Sequence, residues 1–102
     1  MTEEQKTEVT NFIHRRFQNN CKWLDGNCYW FAHILCVRFS FLSMYYCPVE
    51  GHFVAGAFGT YFDWLGEVKK DRHETLKHVT LLADIEKIDP PYYARLMRDC
   101  RN

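Results

Sequence analysis

Apolar residues at spacings of three and four mark one face of a helix near the start of the chain. These positions are Val9, Phe12, Ile13 and Phe17. Thr2 and Gln5 stand ahead of them in the spacing of a capping box, in which each side chain pairs with the other's backbone N–H. The pattern predicts a first helix from about Glu3 to Phe17.

The second feature is a stretch that is apolar on almost every side, CYWFAHILCVRFSFL, over 28–42. It follows a segment rich in Asn, Asp and Gly, which is a loop composition. We expect a helix that begins at or next to Cys28, with Asp25 or Asn27 as its N-cap. Because it shows no polar face, the pattern predicts a helix enclosed by other elements at the centre of the fold. It is shorter than the roughly 20 residues that cross a bilayer, so no membrane span is expected.

Short runs of aromatic and β-branched residues follow and predict antiparallel strands. The runs are MYYCPVE, HFVAGAF and TYFDWLGEV. Gly59 marks the clearest hairpin, with His52 opening the strand before it and Asp63 closing the strand after it. If these strands pair, His52 and Asp63 could be neighbours, although a shift of one residue in register would turn one side chain to the opposite face.

Two segments complete the chain. The first, HVTLLADIEKID, is expected to form a strand or a short irregular segment, and the second is expected to form a helix. Asp89, Pro90 and Pro91 then suit the first turn of a helix through YYARLMRDC. The order of helix, helix, strands and helix predicts an α+β fold.

Composition and charge narrow the functional classes. The 102 residues, 47% of them hydrophobic, predict a single domain over 1–102 with room for one site. Thirteen basic residues balance thirteen acidic ones, so the chain lacks the positive charge that nucleic-acid binding generally uses. The polar N-terminus lacks the pattern of a secretory signal, which predicts a cytoplasmic protein.

Five cysteines without a CxxC pair favour reduced thiols over a disulfide framework. A metal site built from Cys21, Cys28, His33 and Cys36 would match no common zinc spacing, so neither a metal nor another cofactor is expected. His33 lies five residues beyond Cys28, a spacing that directs it elsewhere, and we expect a core or helix-surface role for it.

Cys28 has the local context of a reactive thiol. In the first turn of a helix, free backbone N–H groups and the helix dipole favour the thiolate. A thiol hydrolase also needs a base and a group that orients the base. His52 and Asp63 are the candidates. The backbone N–H of Cys28 would be one donor to the oxyanion, and the second donor would be a side-chain amide of Asn19, Asn20 or Asn27.

Three segments, DGNCYWFAHIL, GHFVAGAF and TYFDWLGEV, together resemble the small papain-like cysteine hydrolases of the NlpC/P60 and transglutaminase-like kind. The resemblance covers about two-fifths of the chain, roughly 25–68. It implies a central nucleophile helix packed on a small antiparallel sheet with flanking helices. It also implies Cys28 as nucleophile, His52 as base and Asp63 as the orienting residue. The chain departs from the exported enzymes of this group in lacking a signal, which argues against peptidoglycan as the substrate.

Three functions are compatible with the sequence. The first is hydrolysis or acyl transfer at a peptide or amide bond, with Trp23 and Trp64 as candidates to line a substrate groove. The second is a catalytically silent binding or inhibitory module of the kind that phages or mobile elements encode, because a cysteine in an apolar helix is most often a core residue. The third is a redox-sensing thiol at Cys28 with Cys21 as its resolving partner. The substrate and the oligomeric state are left open.

Overall fold

A computed structural model of the chain describes residues 1–17, 28–48, 51–63, 66–68 and 79–101. Its helices are α1 (Glu3–Arg16), α2 (Cys28–Arg38), α3 (Leu82–Ile88) and α4 (Pro90–Arg101). Its strands are β1 (Ser43–Cys47), β2 (His52–Ala57), β3 (Thr60–Asp63), β4 (Gly66–Glu67) and β5 (Thr80–Leu81). The strands form one antiparallel sheet in the order β4-β3-β2-β1-β5. The described part of the chain is therefore α+β, as predicted.

Helix α1 begins with the capping box that the sequence indicated. The Thr2 hydroxyl accepts from the Gln5 backbone N–H at 3.1 Å, and the Thr2 backbone N–H donates to the Gln5 side chain at 3.0 Å. The helix ends at Arg16, one residue before the predicted end, and Phe17 forms its C-cap. Acidic residues in its first turn and basic residues in its last turn suit the helix dipole.

Helix α2 begins at Cys28 as predicted and packs mainly on β2, the central strand. The prediction that it is enclosed on all sides is wrong. Trp30 and Ile34 are 36% exposed, and Val37 is 72% exposed. These positions share one side of the helix because side chains three and four residues apart are neighbours. Among the described residues, no helix is both long and apolar enough to cross a membrane.

The β2–β3 hairpin turns through Phe58 and Gly59, which confirms the predicted turn. Ala57 pairs with Thr60, so the loop has two residues, and both have positive φ, 53° and 80°. This is the backbone of a type I′ turn, whose twist matches that of the flanking strands. The predicted strand TYFDWLGEV is divided, because Asp63 pairs with Gly66 and the chain turns back as β4.

The two faces of the sheet carry different residues. Side chains alternate between faces along a strand, and Phe53, Ala55 and Ala57 belong to the hydrophobic core that the helices share. Their partners Tyr46 and Phe62 belong to the same core. His52, Val54 and Gly56 therefore lie on the opposite face.

The region before the last helix differs from its prediction. The predicted strand is present, but only as Thr80 and Leu81, which form β5, and Leu82–Ile88 forms a helix, α3, that was not predicted. Helix α3 is hard to predict because its N-cap is Leu81, which makes no side-chain capping bond. Helix α4 begins as predicted, and the Tyr92 backbone N–H donates to the Asp89 carboxylate at 3.3 Å.

Candidate thiol site

Cys28 is the first residue of α2 and is 6% exposed. At this position the backbone N–H groups of the first turn have no partners within the helix, so they can donate to an oxyanion. The thiol also belongs to the core shared by the helices and one face of the sheet. Its surroundings on that side are therefore mostly apolar.

The pairing of β2 with β3 places His52 and Asp63 on the same face of adjacent strands. Ala55 pairs with Phe62 and Gly56 with Tyr61, and continuing this register sets Asp63 opposite Val54. His52 is two residues from Val54, so it is the diagonal neighbour of Asp63, a separation that long side chains can bridge. His52 is 7% exposed and Asp63 is 1% exposed. The two buried polar side chains therefore lie on one face of the sheet, on adjacent strands.

The start of α2 and the start of β2 lie close together, but they meet through the other face of the sheet. The Tyr29 ring contacts the Phe53 ring edge-on, with centroids 5.3 Å apart. Phe53 thus faces α2, and alternation directs the adjacent His52 away from it. Among the described residues, no hydrogen bond joins Cys28 to His52. The structure places His52 and Asp63 on one face of the sheet and Cys28 on the helix side.

Cys47 is the thiol that the sheet places next to His52. The two residues are direct partners in the β1–β2 register, so they share a face, and Cys47 is fully buried. Directly opposite residues in an antiparallel pair have Cβ atoms roughly 4.5–5.5 Å apart. No pattern in the sequence pointed to Cys47. The signal that could have found it is sequence separation, since Cys47 ends one strand, His52 begins the next, and adjacent antiparallel strands pair at their near ends.

An aromatic pair covers the middle of β2 on the same face as His52. The rings of Tyr45 and Tyr61, from the strands on either side, meet with centroids 5.1 Å apart. They can meet because Gly56 has no side chain: a Cβ there would collide with the Tyr61 ring and lie 2.7 Å from the Thr60 carbonyl oxygen. Burial and the neighbouring Tyr45 raise the pKa of Tyr61. This pair adds apolar surface to the face that carries His52 and Asp63.

The other candidates contribute less to a site. Cys36 lies two turns beyond Cys28 on α2, and burial raises the pKa of its thiol to about 11. His33 is partly exposed and stacks on Tyr29, which fits the expected helix-surface role. Within the described ranges, no three His, Cys, Asp or Glu side chains are grouped so as to hold a metal ion.

Several sequence candidates lie outside the described residues. These are the N-cap residue Asp25, the oxyanion candidates Asn19, Asn20 and Asn27, the groove candidates Trp23 and Trp64, and the resolving cysteine Cys21.

Comparison with models of known protein families, with curated proteins and with solved structures finds no match.

Proposed function

We propose that this protein is a thiol hydrolase or acyl transferase of papain-like architecture that acts on a peptide or amide bond. Cys28 is the nucleophile, His52 the general base and Asp63 the residue that orients the imidazole. The observation that carries the proposal is the placement of His52 and Asp63 on one face of adjacent strands, both buried. The position of Cys28 as the first residue of a helix that packs on the His52 strand supports its role.

The reaction follows from these three groups. His52 accepts the proton of the Cys28 thiol, and the sulfur attacks the carbonyl carbon of the substrate. The imidazolium returns the proton to the leaving amine as the C–N bond breaks, which leaves a thioester on Cys28. Water then hydrolyses the thioester, or an acceptor amine takes the acyl group. Throughout, the Asp63 carboxylate accepts a hydrogen bond from the other imidazole nitrogen.

The proposal requires the imidazole to reach past the end of β2. His52 is the first residue of the strand, so its side chain lies at the end of the sheet where α2 also begins. For contact with the thiol, the imidazole has to move from its own face of the sheet to the α2 side. Apo active sites are often looser than their substrate complexes, and the catalytic contact then forms when substrate binds.

Thiol labelling with iodoacetamide at neutral pH, read out cysteine by cysteine by mass spectrometry, tests the assignment. We expect His52→Ala to slow the labelling of Cys28 at least about tenfold, because the general base that raises its thiolate fraction is gone. Asp63→Asn should slow it by a smaller factor. Cys36 is the internal control on the same helix, and its rate should be unchanged in both variants.

Two results would overturn this assignment. If His52→Ala slows the labelling of Cys47 and leaves Cys28 unchanged, the imidazole serves the thiol on its own face of the sheet. If it slows neither, no thiol is activated by His52. A fold check by circular dichroism accompanies each variant, since His52 and Asp63 are buried.

The second candidate function is a binding or inhibitory module without catalysis. Alternation along β2 favours it, because this sets Cys28 and His52 on opposite faces, and the three proposed catalytic side chains are almost fully buried. A silent module predicts that His52→Ala leaves every labelling rate unchanged while it lowers the free energy of unfolding. The labelling experiment therefore separates the two functions.

A further inference from the structure

Two tyrosine side chains share the apolar core with the Cys28 thiol. Cys28, Tyr29 and Tyr46 all belong to the core between the helices and one face of the sheet, and all three are buried. Each tyrosine brings a hydroxyl, a hydrogen-bond donor, into otherwise apolar surroundings. The position of each hydroxyl relative to the start of α2 therefore decides whether it can take part in a reaction at the thiol.

The Tyr46 ring and the first turn of α2 pack on the same aromatic ring. Tyr46 is the register partner of Phe53, and their ring centroids lie 4.7 Å apart. The ring of Tyr29, the second residue of α2, meets Phe53 with centroids 5.3 Å apart. Because Cys28 directly precedes Tyr29, Tyr46 lies on the α2 side of the sheet, one ring away from the first turn of that helix.

The Tyr46 hydroxyl lies at the end of the sheet where α2 begins. A Cβ atom on Gly51 would be 3.9 Å from the Tyr46 Oη atom. Gly51 is exposed and directly precedes His52, the first residue of β2. The Tyr46 side chain thus extends along the sheet, from the level of Phe53 to that of Gly51, and carries its hydroxyl from the core toward the surface. A substrate that reaches the thiol from this end of the molecule meets the hydroxyl.

The Tyr29 ring is held in a different way. Three other rings contact it, those of Trp30, His33 and Phe53, with centroids 5.1, 6.0 and 5.3 Å away. Two of these rings belong to later positions of the same helix. The contacts therefore account for Tyr29 as a packing residue, which makes it a suitable control for Tyr46.

We propose that the Tyr46 hydroxyl is the second donor to the oxyanion, beside the backbone N–H of Cys28; this inference rests on the proposed function. The Cys28 sulfur bonds to the carbonyl carbon, and the π electron pair of the carbonyl moves to its oxygen. That oxyanion accepts hydrogen bonds from the Tyr46 O–H and the Cys28 N–H. When the C=O bond re-forms, the amine leaves with the proton that the His52 imidazolium returns. Tyr46 keeps its own proton throughout.

The backbone of Tyr46 is fixed on both sides. It pairs with Phe53 of β2 and with Thr80 of β5, so β1 is an inner strand at this position. A donor held in place before the reaction needs no reorganisation when charge develops on the oxygen. Tyr46 takes the place of the side-chain amides that the sequence suggested for this role, those of Asn19, Asn20 and Asn27.

Two reagents separate an oxyanion donor from a group that activates the thiol. p-Nitrophenyl acetate transfers its acetyl group to a thiolate through a tetrahedral oxyanion, and p-nitrophenolate leaves. Iodoacetamide alkylates the same thiolate by displacing iodide from a saturated carbon, so no oxyanion forms. Tyr46→Phe removes the hydroxyl and keeps the ring. In this variant Cys28 should be acetylated about 10–100-fold more slowly than in the wild type, whereas its alkylation rate should not change.

Two further variants serve as controls, with each rate read at Cys28 by mass spectrometry. Tyr29→Phe removes a hydroxyl from the same core and should leave both rates unchanged. His52→Ala should slow both reactions, since the base supplies the thiolate in each. Circular dichroism checks the fold of every variant.

The outcomes that contradict the inference can be told apart. If Tyr46→Phe leaves acetylation unchanged while His52→Ala slows it, Tyr46 is not the donor and the proposed function stands. If Tyr46→Phe slows acetylation and alkylation equally, the hydroxyl acts on the thiol and not on the oxyanion. If wild-type Cys28 is acetylated no faster than Cys36, the inference and the proposed function fail together.

Discussion

The three described cysteines differ in what surrounds each sulfur. Cys28 begins a helix, Cys47 lies opposite His52, and Cys36 has its pKa raised by burial alone. At neutral pH a thiol with a pKa of about 11 is almost wholly protonated, so Cys36 is a poor nucleophile. At the residue scale, Cys28 and Cys47 are therefore the two candidates for thiol chemistry, Cys28 in the helix packed on one face of the sheet and Cys47 on the other face, opposite His52.

The raised pKa of Cys36 predicts a pH-dependent stability. The pKa rises from 9.0 to about 11 on folding, so the folded protein holds the proton more tightly than the unfolded chain. The resulting stabilisation is fully present below pH 9 and is lost as the pH rises through about 11. After allowance for partial exposure, the loss is up to roughly 2 kcal/mol. Urea unfolding measures the free energy of unfolding at about pH 8 and pH 10.5. Between these values it should fall less for Cys36→Ala than for the wild type. Equal decreases in the two proteins would contradict the prediction.

At the scale of elements, the β2–β3 turn carries a local conflict between residue and backbone. Phe58 adopts a φ of 53°, in the left-handed region that costs an ordinary residue about 1–2 kcal/mol, and its side chain is mostly exposed. Phe58→Asn should raise the free energy of unfolding by about 1 kcal/mol, since Asn-Gly is a preferred type I′ pair. Gly59→Ala should lower it, because Gly59 has a φ of 80°. Urea denaturation measures both, and a Phe58→Asn protein less stable than the wild type would refute the first expectation.

Elements with strong local signals are predictable from the sequence, and α3 shows where such signals fail. The starts of α1 and α4 were predicted because Thr2 and Asp89 cap them through their side chains. Helix α3 has no such cap and follows β5 directly, so its start depends on tertiary packing of Leu82 and Ile85.

The candidate site was predictable only as far as local sequence signals reach. Local patterns placed Cys28 at a helix start and His52 and Asp63 on paired strands. They could not specify which face His52 occupies, because one step of register reverses it. For that reason Cys47 was missed as its neighbour. The exposed side of α2 was missed too, because a uniformly apolar sequence does not show which side is covered.

At the scale of the whole molecule, the core is organised around β2. This strand pairs on both sides and carries α2 on one face, whereas β5 pairs with β1 through only two residues, Thr80 and Leu81. The C-terminal helices join the core through Leu82, Ile85 and Leu96. We therefore expect β5, α3 and α4 to open as a unit while β2 and α2 stay folded.

Native-state hydrogen exchange of two variants tests this order of opening. Leu96 loses its packing both when the C-terminal unit opens alone and when the whole protein unfolds. Leu96→Ala should therefore speed exchange in α4 and in β2 alike. Leu35, fully buried in α2, stays packed while the C-terminal unit opens. Leu35→Ala should therefore speed exchange in β2 and leave the exchange rate in α4 nearly unchanged. Each substitution should lower the free energy of unfolding by about 2–5 kcal/mol. If Leu35→Ala speeds both regions equally, the described core opens as one cooperative unit.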